Sequence, residues 1–225
     1  MPKTRVAQIA ELIRWTLVTT VSMILGWLAF LVVLGALFLM DAYTTLMSLP
    51  IVPVVPFFVA GSIAGAIVGG SQRTVLLRNV GGAKTWFWST VVSWGFVAIA
   101  WLAQYEFLGG THFEISNEDI IPAVVFAGAV SGLVLGYTQW LMMRRSVQIS
   151  PWWIVSTAAS WFAATTVTAL AGAYLNAIVN DVTRASIDFG LFSYLVAGVA
   201  LGLIVGLGTG LAQLMFIGFP IANAE

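Results

Sequence analysis

The chain has 225 residues, of which 60% are apolar and only 8% charged, with a formal net charge of zero and a mean hydropathy of +0.99. Soluble domains carry roughly 25% charged residues, so a water-soluble fold is excluded. The balanced charge gives no reason to expect a nucleic-acid partner. The absence of cysteine removes disulfides, thiolate metal sites and cysteine nucleophiles.

Six apolar runs have the length needed to cross a hydrocarbon core of ~30 Å, which takes about 20 helical residues. In chain order they lie near 14–40, 51–77, 85–105, 120–143, 152–178 and 190–217. They are continuously apolar and rich in Leu, Ala and Gly, without the alternation of barrel strands, so helices are expected. The first follows Lys3, Arg5 and Arg14 but runs unbroken to Met40. A cleaved signal peptide has an apolar part of only ~7–15 residues, so this helix is expected to be retained. Pro50, Pro53 and Pro56 precede the second run and predict an extended or partly re-entrant segment, with the helix starting near Pro53 or Pro56.

If the six segments alternate, Lys3, Arg5, Arg14, Arg73, Arg78, Lys84, Arg144 and Arg145 fall on one side, with Glu11 and Glu225. Arg184 alone falls on the other, with Asp41, Glu106, Glu114, Glu118, Asp119, Asp181 and Asp188. The ends therefore carry about +6 and −6. Lysine and arginine mark the cytoplasmic face, which predicts both termini in the cytoplasm, in a bacterial inner membrane.

The even segments share a pattern, GxxxGxxxGxxQ: Gly61, Gly65, Gly69 and Gln72; Gly128, Gly132, Gly136 and Gln139; Gly202, Gly206, Gly210 and Gln213. The odd segments share another, W-x3-T-x2-S, at Trp15, Thr19 and Ser22, at Trp86, Thr90 and Ser93, and at Trp153, Thr157 and Ser160. At 100° per residue, offsets of 0, 4, 8 and 11 lie within about 80° of one another, so each even helix has a glycine groove ending in glutamine. Glycine stripes let helix backbones approach closely, which in lipid replaces the missing hydrophobic drive. The expected fold is an all-α polytopic membrane protein: one domain, 1–225, of six transmembrane helices. They form three repeated hairpins, 14–77, 85–143 and 152–217, with approximate pseudo-threefold symmetry.

The run from Gly132 to Arg145, GLVLGYTQWLMMRR, followed by the tryptophan-led helix from Trp153, resembles a repeat of uncharacterised bacterial multi-pass membrane proteins. The resemblance covers most of the chain and is poorest in the last hairpin, where Phe219 replaces arginine. It implies an architecture and brings no activity.

Residues able to do chemistry are few. His112, the single histidine, lies in the acidic loop THFEISNED, and is expected to be a solvated loop residue rather than a metal ligand. The serine-protease-like GAVSG at Gly128–Gly132 has no partner histidine within an apolar segment. The carrier and aquaporin signatures are missing, and every charge can be assigned to a helix end or loop, which disfavours a proton-coupled pump. Gln72, Gln139 and Gln213 remain as a candidate intramembrane polar set, read first as interhelical hydrogen bonds and second as a shared polar pocket. Trp15, Trp86, Trp88, Trp140, Trp152 and Trp153 are expected to form an interfacial aromatic belt. Trp27, Trp94 and Trp161 sit deeper, as packing or as lipid or pigment contacts.

No cofactor is expected. The functional expectation is a non-enzymatic integral membrane protein, an accessory or structural subunit of a larger membrane assembly, in contact with lipids and other membrane subunits. The alternative is a small-solute transporter or channel.

Overall fold

The computed structural model describes residues 5–39, 54–76, 83–107, 117–145, 147–182 and 189–220. These form six helices: α1 (Arg5–Leu39), α2 (Val54–Leu76), α3 (Ala83–Phe107), α4 (Asn117–Met143), α5 (Trp152–Val182) and α6 (Phe189–Phe216). The segments around Pro50 and His112 lie outside the described residues. Five helices are long and apolar enough to cross a membrane; in α6 the comparable described stretch is the shorter Val199–Met215.

Local sequence accounts for the boundaries. Helix α2 begins at Val54 with Pro56 in its first turn, where a missing N–H leaves no bond unmade. At α5, Ser150 accepts the Trp152 N–H on its Oγ at 3.3 Å, and Pro151 supplies the preset φ of a first helical turn. Two short strands not expected from the sequence, β1 (Val147–Ile149) after α4 and β2 (Ile217–Pro220) after α6, pair antiparallel at one end of the bundle. Ile149 is buried in the same apolar cluster as Trp15, Trp86 and Trp153.

Each helix packs on its chain neighbours, and α6 returns to α1, so the six close into a ring. The glycine stripes lie at alternate junctions. A Cβ on Gly65 would stand 2.7 Å from Trp94 Cβ and 3.0 Å from Val91 Cα of α3. One on Gly132 would stand 2.7 Å from Ala158 Cα and Trp161 Cβ of α5, and one on Gly202 2.7 Å from Thr20 Cα of α1. The closest backbone approaches thus join α2 to α3, α4 to α5 and α6 to α1. They link one hairpin of the sequence repeat to the next rather than the two helices within it.

The distribution of polarity is inverted relative to a soluble protein. Thr16, Thr19, Ser22, Gln72, Ser89, Thr90, Ser93, Gln139, Thr157 and Thr209 are buried, while Leu17, Val21, Leu25, Leu28 and Val32 run exposed along α1. In water that surface would be costly; in hydrocarbon the exposed leucines and valines are matched to their solvent, and the hydroxyls and amides are hidden from it.

Candidate functional site: a tryptophan-walled polar kernel

The faces that carry the odd-helix pattern point to the bundle axis. Trp15, Trp86 and Trp153, each no more than 2% exposed, form one layer. Trp15 meets Trp86, and Trp86 meets Trp153, edge to face with centroids 5.5 Å apart in both pairs. These three are therefore core residues and not belt residues, a correction to the expectation from their place near the helix ends. Tryptophan shares a helix face with the threonine and serine that follow it, and that face seeks the polar interior. Trp88, two positions after Trp86, and Trp152, one before Trp153, are the exposed ones. Two turns deeper, Trp94 and Trp161 pack at 5.9 Å with Met23 in the corresponding place on α1.

Between these layers lie the polar groups. Gln72 donates through Nε2 to Thr19 Oγ1 of α1 at 3.1 Å, and its Oε1 accepts the Trp86 Nε1–H of α3 at 3.1 Å. Gln139 repeats the arrangement, donating to Thr90 Oγ1 at 3.2 Å and accepting from Trp153 Nε1 at 3.2 Å. Each amide so ties its own helix to the odd helices on both sides. The Thr90 hydroxyl proton goes to the Trp86 carbonyl at 3.0 Å, leaving the oxygen free to accept the amide.

The third junction differs from the expected pattern. Trp15 Nε1 donates to Thr209 Oγ1 at 3.1 Å, and Thr209 in turn donates to the Val205 carbonyl. Gln213, one turn further along α6, is half-buried and does not line the axis. The glycine contacts give the register: a Cβ on Gly206 would meet Thr16, one residue after Trp15, just as one on Gly69 would meet Phe87, one residue after Trp86. Gly206 and Thr209 on α6 thus hold the positions that Gly69 and Gln72 hold on α2. The repeat reads Gly198, Gly202, Gly206, Thr209 there, one turn earlier than the glutamine suggests. That alternative register was available in the sequence, since Gly198 also lies four residues before Gly202.

Trp15, Thr19, Met23, Gln72, Thr90, Gln139 and Thr209, with Trp86, Trp94, Trp153 and Trp161, surround a cavity of about 20 Å³; Val68, Leu135 and Val205 complete its wall. No ionisable side chain lines it, and among the described residues no group of three or more His, Asp or Glu residues could hold a metal ion. Outside it, Arg144 lies over the Trp140 ring at 5.0 Å, and Trp101 Nε1 donates to Ser131 Oγ at 2.9 Å, joining α3 to α4.

Comparison of the chain with family models, curated proteins and solved structures gives no match, so residues and geometry carry the functional reading.

Proposed function

We propose that this chain is a non-enzymatic, non-conducting integral membrane protein that serves as a structural or accessory subunit of a larger membrane assembly. The observation that carries the reading is the closure of the bundle axis: tryptophan layers 5.5 to 5.9 Å between centroids, with a space of only about 20 Å³ between them. A transporter or channel for small solutes would need a polar path through those rings, and the interhelical bonds of Gln72, Gln139 and Thr209 stand across it. The amides of Gln72 and Gln139 and the indoles of Trp15, Trp86 and Trp153 are spent on kernel partners, which suits a scaffold.

In this reading all six helices span the membrane. Helix α6, at 28 residues, reaches ~42 Å at 1.5 Å per residue and sits in the ring between α5 and α1. The three repeats form a pseudo-threefold bundle, a rotation of about 120° carrying the α2–α3 junction onto α4–α5 and α6–α1. The matched glycine contacts and tryptophan bonds support it. The charge partition supports cytoplasmic termini in a bacterial inner membrane, and the exposed apolar helix faces are the surfaces offered to lipids and to partner subunits.

Two measurements test the proposal. In proteoliposomes the purified chain is expected to leave ion and small-solute flux at the level of empty vesicles. Gentle solubilisation of the native membrane is expected to bring out a larger particle containing other subunits. Saturable flux, or a partner-free monomer from native membrane, would overturn it.

A further inference from the structure

One fully buried donor of the tryptophan-walled kernel stands apart from its counterparts. Trp161 is 1% exposed and lines the cavity, yet its Nε1–H meets no acceptor among the described residues. Trp15, Trp86 and Trp153 all have one. A buried indole N–H in a nonpolar bundle needs an acceptor, and the cavity beside it is the place from which one can be supplied.

We propose that the cavity is a binding site for a single water molecule, which accepts the Trp161 Nε1–H and donates to the amide and hydroxyl oxygens around it. Three observations define the ligand. The space, about 20 Å³, exceeds the ~10–15 Å³ that one water requires and is too small for an organic solute. Acceptors are at hand: Gln72 Oε1 and Gln139 Oε1 each accept one indole proton, and a carbonyl oxygen has two lone pairs. No charged side chain lines the wall, so an ion would sit there without a counter-charge, whereas the unpaired Trp161 N–H calls for a neutral acceptor. A neutral acceptor that can also donate fits all three.

The position of the water follows from the departure in the third repeat. On α2 and α4 the long glutamine fills its junction and bridges both neighbours. Thr209 has two fewer heavy atoms beyond Cα and reaches only Trp15. The water occupies the volume that a third glutamine would have taken and supplies hydrogen bonds which that amide would have made. It lies between the tryptophan layers and belongs to the fold, not to a path.

The test is nuclear magnetic resonance of the full chain in lipid nanodiscs, with tryptophan labelled at the indole nitrogen and the Trp161 signal assigned by its loss in Trp161→Phe. The Trp161 indole proton is expected to show a cross-peak to water with the sign of a long-lived, bound molecule. Thr209→Gln, which fills the space, is expected to abolish it. If that variant does not fold, the near-isosteric Thr209→Val is expected to weaken it by removing one partner. A Trp161 proton without a water cross-peak in the unmodified chain would mean a dry cavity and would overturn the proposal, as would a cross-peak unchanged in the variant that folds. A cross-peak with the sign of freely exchanging solvent would overturn it too and would also open the axis; a dry cavity leaves the closed-axis reading intact.

Discussion

Replacing Gln139 by leucine separates a structural amide from a dispensable one. Gln139 is 2% exposed and makes two interhelical bonds, to Thr90 Oγ1 and from Trp153 Nε1. Leucine has a similar volume and no polar group. Thr90 keeps its bond to the Trp86 carbonyl and is not orphaned, but the Trp153 N–H is left buried without an acceptor. An interhelical hydrogen bond in lipid averages about 0.6 kcal/mol, so the two bonds contribute about 1.2 kcal/mol. Stranding the indole adds on the order of 1 kcal/mol. A destabilisation of about 2 kcal/mol is expected. Gln213→Leu, at the position that the repeat pattern makes equivalent, is expected to cost less than about 0.5 kcal/mol, because Thr209 stands at the junction and Gln213 does not. Reversible unfolding in mixed micelles of increasing denaturing-detergent content, followed by tryptophan fluorescence, gives both values. Adding Trp153→Phe to Gln139→Leu should cost about 1 kcal/mol less than the same change in the unmodified chain, since the stranded donor is then gone. Equal costs for the two glutamines, or a neutral Gln139→Leu, would refute the register and the network on which this reasoning rests.

Other expectations follow from particular contacts. Gly132→Ala places a methyl 2.7 Å from the Ala158 Cα, which is backbone and cannot turn aside, so a loss of about 1–3 kcal/mol is expected in the same unfolding assay. Gly35→Ala, where a Cβ meets nothing within 4 Å among the described residues, should be neutral or stabilise by up to about 1 kcal/mol. Thr209→Ala removes the acceptor of Trp15 Nε1 and should cost about 1–2 kcal/mol by the same measure. Because the chain has no cysteine, single substitutions report topology without background. Lys84→Cys and Arg145→Cys are expected to react with an impermeant maleimide only from the cytoplasmic side, and Glu114→Cys only from the other; the reverse labelling would invert the proposed orientation.

Helix positions were legible because their causes are local. Runs of apolar residues closed by Pro, Gly and charged groups locate helices within a few residues; α1 alone begins well before its apolar run, at Arg5 rather than residue 14. The strands β1 and β2 were not legible, since Val147–Ile149 acquires its partner from a segment some 70 positions away. The kernel was half legible. The faces holding Trp86, Thr90, Gln72 and Gln139 follow from helical periodicity, and the choice of glutamine as bonding residue follows from the scarcity of amides in lipid-facing sequence.

What the amino-acid order determined by itself is the set of apolar helices, the threefold recurrence of two facial patterns, and the burial of hydroxyls and amides with the leucines outside; each depends on neighbours within a few turns. Tertiary structure decided which faces met. The glycines pack α2 on α3, α4 on α5 and α6 on α1, so the chain closes across its repeats, and this depends on the ring returning α6 to α1. It also decided the register of the last helix. With glycines at 198, 202, 206 and 210, a slip of one turn leaves the stripe nearly unchanged. The stripe cannot choose between Gln213 and Thr209; the fit of Gly202 against Thr20 and of Gly206 against Thr16 does, and with it the shorter side chain and the space beside Trp161.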